Sequence, residues 1–141
     1  MIIADTGFWV ALANRSDRYH AAAQQFLQNH REPLITTWPV MTETCHLLLK
    51  RLHARSMLQF MRSFEAGAFT VFALQAGHAS RIHSLMEKYA DLPMDLADAS
   101  LLILAEELGH GRILSTDQRD FQTYRWKSHH PFANLLLTLD A

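Results

Sequence analysis

Short runs of apolar and β-branched residues alternate along this chain with longer segments in which apolar residues recur at helical spacing. The short runs predict strands, because strands buried on both faces read as near-continuous hydrophobic segments. They cover residues 1–4, 34–37, 69–74 and 112–115. The periodic segments predict helices over residues 6–13, 17–30, 38–53, 55–65, 77–89 and 96–108. Strands that alternate with helices favour right-handed crossovers and a parallel sheet, so the predicted fold class is α/β.

Cap and turn residues mark where several of these elements begin and end. Ser16 or Asp17 is expected to cap the second helix, and Asp95 is expected to cap the long helix that ends at residue 108. Residues 124–126 are a candidate fifth strand, and the apolar segment 135–139 is expected to pack against the rest of the protein. The predicted sheet therefore has four or five short strands.

The composition excludes several classes of protein. At 141 residues, with 49% apolar and 19% charged residues, the chain is expected to form one domain over residues 1–141 and not a disordered or collagen-like chain. A single cysteine, Cys45, excludes an intramolecular disulfide and a cysteine-based zinc site. The chain opens without a signal-peptide pattern, and its later apolar runs, such as 101–105, are far shorter than the ~20 residues that span a bilayer. A cytoplasmic protein without membrane contact is expected.

Four acidic residues from distant parts of the chain are expected to meet at one edge of the sheet. Asp5 directly follows the first strand and Asp117 the fourth, while Glu43 lies in the first turns of the helix after the second strand. Asp98 lies in the first turn of the helix that leads to the fourth strand, and this helix must start at the carboxyl edge for the crossover to close. Ligands of open parallel sheets bind beyond that edge, so the four acids predict a site there.

Each of these acids also has a purely structural interpretation. Asp5 and Asp117 can cap the helices that follow them, and Glu43 can be a solvated helix carboxylate. Asp95 is a good N-cap, and Asp98, three residues later, fits a capping box with it. Caps account for each position singly, but they do not explain why Glu43 and Asp98 join the others. The convergence favours a functional site, while Asp95 is better explained as a cap.

Carboxylates held within a few ångströms of one another repel, and burial makes their charged forms still less favourable. A divalent cation removes this conflict. Ligation by oxygen atoms alone selects hard ions, and Mg²⁺ or Mn²⁺ suits a site with few protein ligands and several waters. Such an ion makes an attacking water more acidic, and a second ion can stabilise a leaving oxygen. The acids therefore favour metal-dependent phosphodiester chemistry.

Four short motifs contain these acids and follow one another at set intervals. They are Ile3-Ala4-Asp5-Thr6-Gly7, Thr42-Glu43, Asp95-Leu96-Ala97-Asp98-Ala99 and Ser115-Thr116-Asp117-Gln118-Arg119-Asp120-Phe121. In order and spacing they resemble the PIN-domain ribonucleases over essentially the whole chain, and most of all the VapC-type toxins of bacterial toxin–antitoxin systems. The resemblance implies a three-layer sandwich around a central, mostly parallel sheet, and a metal-dependent endoribonuclease.

The resemblance also implies roles for individual residues. The Mg²⁺ or Mn²⁺ site that it implies has as its ligands Asp5, Glu43, Asp98 and Asp117. Asp120 matches a position that adds a weaker acidic contact, and Thr6 and Thr116 would supply hydroxyls that support the ligands. Toxins of this kind usually pair with a small antitoxin protein and often form homodimers, so both are expected partners besides an RNA substrate.

Basic residues near the acids are candidate RNA contacts. Arg119 and Arg125 lie close in sequence to Asp117. Lys50 and Arg51 belong to the densest basic run, which can equally be a solvated helix end whose charges complement the helix dipole. The net charge of −1 combines an acidic site with a mildly basic remainder. Without the four proposed ligands, ten acidic residues stand against 13 basic ones, which gives the rest of the chain a charge of +3. We therefore expect salt-sensitive RNA binding of modest strength.

Two other functions compete with the ribonuclease. A non-catalytic PIN-like module that binds RNA or protein, with acids that serve only as caps, would show no stabilisation by metal ions. A phosphoacceptor or phosphatase domain is least favoured, because the chain has Asp5-Thr6-Gly7 where an Asp-x-Asp motif would stand. The nine histidines form no HExxH pattern and are expected at the surface or at helix ends.

Overall fold

Five short parallel strands form the central sheet of the protein, whose residues 1–137 are described by a computed structural model. The strands of this part of the chain are β1 (Ile2–Ala4), β2 (Leu34–Thr37), β3 (Thr70–Phe72), β4 (Arg112–Leu114), β5 (Arg125–Trp126), β6 (His130–Pro131) and β7 (Ala133–Asn134). The sheet has the order β3-β2-β1-β4-β7, and every neighbouring pair is parallel. β5 and β6 form a separate antiparallel pair. The prediction of a parallel sheet of four or five strands is confirmed.

Helices occupy most of the chain between the strands. They are α1 (Thr6–Ala13), α2 (His20–Asn29), α3 (Trp38–Arg51), α4 (Ala54–Glu65), α5 (Ala79–Lys88), α6 (Leu96–Leu108) and α7 (Gln118–Thr123), with a 3-10 turn at Ala76–His78 before α5. Side chains cap several of them as their residue types predict: Thr37 accepts a bond from the third backbone N–H of α3, and Asp95 does the same for α6. Gly109 ends α6 at φ 79°, a left-handed conformation that glycine adopts without steric penalty.

Crossovers between parallel strands are right-handed, and this determines which face of the sheet each helix covers. The chain runs from β1 to β2 to β3 in one direction, so α1–α4 share one face, and it then reverses to reach β4, so α5 and α6 cover the other. Contacts agree with this division, since α1 packs on α2 and α3, α3 packs on α4, and α5 packs on α6. The predicted α/β architecture with helices around a central sheet is confirmed.

The core lies around β1, β2 and α6. α6 is buried along most of its length, and a hydrogen bond of 2.6 Å between the hydroxyls of Thr37 and Ser100 ties it to the end of β2. Both hydroxyls are fully buried, so each satisfies the other in the apolar interior. None of the helices within residues 1–137 combines the length and the apolar character that crossing a bilayer requires.

The prediction for the start of the second helix was wrong. α2 begins at His20, and neither Ser16 nor Asp17 caps it. The Asp17 carboxylate instead accepts a bond of 2.8 Å from the backbone N–H of Tyr19, and the Asn14 side chain accepts one of 3.0 Å from Ser16. These side chains are used within the turn between α1 and α2, which therefore extends to Tyr19.

The prediction for a fifth strand was wrong about its place. Residues 125–126 form a strand, but it pairs with β6 outside the main sheet, and the fifth strand of the main sheet is β7. β7 pairs with β4 through backbone bonds of 2.8 Å from Ala133 to the Gly111 carbonyl and from Leu135 to the Ile113 carbonyl. The Asn134 side chain adds two more, accepting a bond of 3.2 Å from the backbone N–H of Ser115 and donating one of 2.8 Å to its carbonyl. In the predicted apolar segment 135–139, Leu136 is buried as expected, and residues 138–139 lie outside the described part of the chain.

Candidate active site

Half of the chain's 14 acidic residues line one cleft of about 340 Å³ at the carboxyl edge of the sheet. The chain leaves β1 toward β2 on one side and later returns to β4 on the other, so a crevice opens where these strand directions diverge. The acids that line the cleft are Asp5, Asp17, Glu43, Asp95, Asp98, Asp117 and Asp120. All five predicted metal ligands are therefore brought together, and the predicted hydroxyl residues Thr6 and Thr116 line the same cleft. The sequence indicated Asp17 only as a helix cap and not as a site residue, yet it reaches the cleft from the turn before α2.

Asp5 is the most buried of these acids, with 7% of its surface exposed. Its Oδ1 accepts a bond of 2.7 Å from the backbone N–H of Thr6, and its Oδ2 accepts one of 3.0 Å from the hydroxyl of Ser115. The pKa of Asp5 is raised to about 7, mainly by burial and also by the charges of Glu43 and Asp117, while the two hydrogen bonds oppose the shift. Asp5 does cap α1, as the structural interpretation predicted, but its carboxylate also lies among other acids.

Ser115 joins two of the acids through one hydroxyl. While its Oγ donates to Asp5, it accepts a bond of 2.9 Å from the backbone N–H of Asp117. Ser115 is fully buried at the end of β4, and Asn134 holds its backbone on the other side. The sequence analysis missed this residue, although its place between a strand end and an acid two residues later is a usable signal.

Glu43 is half-buried and accepts a hydrogen bond of 2.5 Å from the hydroxyl of Thr6. This bond links the first turn of α1 to α3, and it shows that Glu43 is not a freely solvated helix carboxylate. Thr116 reaches the cleft from the opposite side, where its hydroxyl lies directly against Gly7 of α1. The approach is so close that a Cβ at Gly7 would lie 1.9 Å from Thr116 Oγ1.

Asp98 does not complete the predicted capping box. Its backbone N–H donates a bond of 2.8 Å to Asp95 Oδ1, so Asp95 is the cap, but the Asp98 carboxylate does not reach back. Asp98 Oδ2 instead accepts a bond of 2.9 Å from the hydroxyl of Tyr124. The pKa of Asp98 is raised to about 8, mainly by burial and also by the charges of Asp95, Asp5 and Asp120, while the bond from Tyr124 opposes the shift.

Asp117 directly precedes α7, the short helix at the rim of the cleft, and Asp120 lies in its first turn. Asp117 caps α7 by accepting a bond of 3.1 Å from the backbone N–H of Asp120, as the structural interpretation predicted. Burial, followed by the hydrogen bond and the charge of Asp117, raises the pKa of Asp120 to about 6. A cap uses one carboxylate oxygen, so capping and ligation are compatible roles for Asp117.

The donor set of the cleft fits a hard divalent cation. Its acids offer oxygen atoms alone, and three of them have raised pKa values because burial and mutual repulsion disfavour their charged forms. Within residues 1–137, no three acidic, histidine or cysteine side chains are gathered closely enough to form a ready-made metal site. Mg²⁺ characteristically keeps several of its waters and needs only one or two carboxylate ligands.

Without a cation, the protein is expected to become less stable as the pH rises from 5 to 8. Asp5 and Asp98 stay protonated in the folded protein up to pH values of about 7 and 8, whereas the unfolded chain releases these protons near 3.8. Above pH 4 the unfolded state therefore binds fewer protons, and the free energy of unfolding falls with pH. In EDTA, the melting temperature at pH 8 should lie about 5 °C or more below that at pH 5.

The Asp5→Asn/Asp98→Asn double variant is the control for this pH dependence. Because neither amide titrates, its melting temperature should change less between pH 5 and pH 8 than that of the wild type. An equal change in both proteins would contradict the assignment of the effect to these two carboxyls.

The predicted RNA contacts differ in their relation to the cleft. Arg51 is the one basic residue among the described residues that line it, while its neighbour Lys50 is exposed and lies outside the lining. Arg119 is exposed in the first turn of α7. The guanidinium of Arg125 donates to the carbonyls at the end of α7 from residues 122–124, so it stabilises the helix end and does not line the cleft.

Known proteins share both this sequence pattern and this fold. The family model described as PIN domain matches residues 2–127. Ribonuclease VapC26 of Mycobacterium tuberculosis is 25% identical over 124 residues, which cover 88% of this chain and 92% of that protein. The crystal structure of M. tuberculosis VapC20, described as a toxin that cleaves the sarcin–ricin loop, superposes with a TM-score of 0.78 at 20% identity, over 84% of this chain and 92% of that one. This chain belongs to the PIN-domain family.

Proposed function

We propose that this protein is a metal-dependent endoribonuclease of the VapC type that hydrolyses RNA phosphodiester bonds. The proposal rests on the cleft at the carboxyl ends of β1 and β4, where seven acids lie together. Burial and neighbouring carboxylates raise the pKa of at least two of them, Asp5 and Asp98, so their charged forms are disfavoured. Membership of the PIN-domain family and the ribonuclease name of VapC26 support the same activity.

Asp5, Asp98 and Asp117 would hold Mg²⁺ or Mn²⁺, with Asp120 as a further acidic contact. When bound, the ion supplies positive charge that makes a water more acidic and offsets charge on the scissile phosphate. Glu43 lies beside these acids with one oxygen occupied by Thr6, so its other oxygen is available to accept a proton from water or to orient it. Ser115 keeps Asp5 and Asp117 at a set separation through its two hydrogen bonds.

Basic side chains beside the cleft are placed to bind the phosphates of an RNA backbone. Arg51 lines the cleft and Arg119 stands at its rim on α7, so both would contact phosphates that flank the cleaved bond. Lys50 would extend this contact along the end of α3. Because the acids repel a phosphate until a cation is present, RNA binding should depend on the metal as well as on salt.

The named relatives suggest a biological setting. VapC20 is described as a toxin that cleaves the sarcin–ricin loop, and a structured RNA hairpin is therefore a suitable first substrate. We propose by the same likeness that this protein is the toxin of a toxin–antitoxin pair in the cytoplasm, with a small antitoxin protein as its partner. A homodimer stays a prediction.

Divalent cations are expected to activate and to stabilise the protein. Millimolar Mn²⁺ or Mg²⁺ should permit cleavage of a synthetic RNA hairpin, EDTA should stop it, and the ion should raise the melting temperature at pH 8. Binding at 100 times Kd stabilises a folded protein by about 2.7 kcal/mol, so the shift should be several degrees. Differential scanning fluorimetry and gel analysis of the RNA measure the two effects.

Asp98→Asn should remove most of this thermal shift, whereas the matched variant Asp91→Asn should keep it, because Asp91 is exposed and lies outside the cleft. A melting temperature that no divalent cation changes, together with RNA that stays intact, would favour the non-catalytic module whose acids only cap helices.

A further inference from the structure

Tyr124 is a fully buried phenol whose hydroxyl meets the Asp98 carboxylate. It directly follows α7 as its C-cap, where its backbone N–H donates a bond of 2.9 Å to the carbonyl of Asp120. Tyr89 and Phe121 pack edge-on against its ring, with centroid distances of 5.0 and 5.2 Å. The ring therefore has little freedom, and the position of its hydroxyl is determined by packing.

The hydroxyl of Tyr124 supplies the hydrogen bond that orients Asp98. Among residues 1–137, it is the one donor that reaches this carboxylate, at Oδ2, whereas Asp5 receives bonds on both oxygens. A free carboxyl group on a helix can rotate about its side-chain torsions, so one strong contact from a rigid ring limits it to a narrow range. The other oxygen, Oδ1, accepts no bond from the described residues.

We propose that Tyr124 is a positioning residue that holds Asp98 Oδ2 so that Oδ1 is presented for cation binding. The inference rests on the proposed function, because it assumes that Asp98 is a ligand. It adds a role for α7, which contributes Asp117 at its start, Asp120 in its first turn and Tyr124 at its end. The helix thereby couples the placement of three acids to the packing of one aromatic ring.

The alternative is that Tyr124 only fills the space between α6 and α7. Such a role predicts that loss of the hydroxyl changes stability but leaves cation affinity unaltered. A positioning role predicts that loss of the hydroxyl weakens cation binding more than it changes stability, because the ring and its packing stay while the orientation of a ligand is lost. Outer hydrogen-bond partners of metal ligands typically contribute about 10- to 100-fold to metal affinity.

The test compares two variants that each remove one phenol oxygen from adjacent buried rings. Tyr124→Phe should weaken Mn²⁺ binding about 10-fold or more, measured without RNA by the EPR signal of free Mn²⁺ at pH 8. Tyr89→Phe is the matched control, because the Tyr89 hydroxyl accepts a bond from the backbone N–H of Arg125 and contacts none of the cleft acids. The dissociation constant of Tyr89→Phe for Mn²⁺ should lie within about twofold of the wild-type value.

The Asp98→Asn background separates this inference from the proposed function. If Asp98→Asn does not weaken Mn²⁺ binding, the proposed metal site fails, and this inference fails with it. If Asp98→Asn weakens binding but Tyr124→Phe does not, only the positioning role is overturned. If both weaken binding, the double variant should show no further loss beyond Asp98→Asn, since the two residues act on the same ligand.

A spectroscopic measurement on the wild type reports on Tyr124 while its hydroxyl and its packing are intact. The chain has three tyrosines, so labelling of tyrosine Cζ with ¹³C gives three signals, which Tyr19→Phe and Tyr89→Phe assign by elimination. Titration with Mg²⁺ should shift the Tyr124 signal and leave that of Tyr89 nearly unchanged. A Tyr124 signal that stays in place while Mg²⁺ raises the melting temperature would overturn the proposal.

Discussion

Asp5→Asn is expected to abolish RNA cleavage while the protein stays folded. Asp5 is the buried acid at the centre of the cleft, between Glu43 and Asp117, and its charge is the one that a cation would most directly compensate. Metal assistance is worth several kcal/mol, and each 1.36 kcal/mol is a factor of ten, so kcat/KM should fall by about 10³-fold or more. Steady-state cleavage of an RNA hairpin at saturating Mn²⁺ measures the loss.

The fold should survive this change because asparagine can still bond both partners of Asp5, although the bond with Ser115 reverses its direction. Its amide oxygen can accept from the backbone N–H of Thr6, and its amide nitrogen can donate to the hydroxyl of Ser115. In EDTA at pH 8 the variant should melt at the same temperature as the wild type or higher, since a neutral amide avoids burying a charge beside two other acids. Asp91→Asn, which changes an exposed acid in the same way, should retain full activity. Cleavage by Asp5→Asn at the wild-type rate would refute the assignment of this residue.

Gly7→Ala is expected to damage the site by steric contact alone. Gly7 lies in the first turn of α1, where a Cβ would stand 1.9 Å from Thr116 Oγ1 and 3.0 Å from Thr116 Cβ. Alanine is a better helix former than glycine by up to about 1 kcal/mol, so propensity alone predicts a more stable protein. The clash should reverse this sign and destabilise the protein by about 1–3 kcal/mol. Because residue 116 is adjacent to Ser115 and Asp117, the displacement should also lower kcat/KM by at least tenfold.

Two further variants show whether the contact with Thr116 is responsible. Gly77→Ala is the matched control, because a Cβ there meets nothing within 4 Å, and its stability should change by no more than about 0.5 kcal/mol. Thr116→Ala in the Gly7→Ala background removes the nearest atom and should restore part of the stability. Urea unfolding and Mn²⁺-dependent cleavage, measured on the three proteins, give both effects. A Gly7→Ala protein with wild-type stability would contradict this prediction, because it would mean that Thr116 moves away from the new Cβ without cost.

Much of the fold was predictable because its signals are local. α1 and α6 have the predicted limits, since a capping side chain stands before each and a strong change in residue type follows each. The meeting of the acids was also predictable, because the carboxyl ends of parallel strands must share one edge. The place of the fifth strand was not, because β7 has only two residues and its bonds to β4 and Ser115 join segments that are distant in sequence.

The hydrogen bonds within the site were only partly predictable. A cap at Asp95 or Asp117 follows from residue type and position, and both were found. The partner of Asp98 was not predictable, because the capping-box alternative considers residues within one turn, whereas the donor is Tyr124, 26 residues later in the chain. Arg125, expected to bind phosphate, donates to carbonyls at the end of α7 instead, since an unsatisfied helix end lies within its reach.

The amino-acid sequence alone was enough to predict the class of fold and the edge at which the chemistry would lie, because residue periodicity and strand direction depend on short segments of chain. It also placed acids from four segments at that edge, and it indicated the local cap that Asp5 makes on the N–H of Thr6. The long-range partners of the carboxylates became known only from the folded protein: Ser115 for Asp5, Thr6 for Glu43 and Tyr124 for Asp98. Burial and side-chain hydrogen bonds are properties of packed neighbours, and these neighbours lie up to 110 residues apart in the chain.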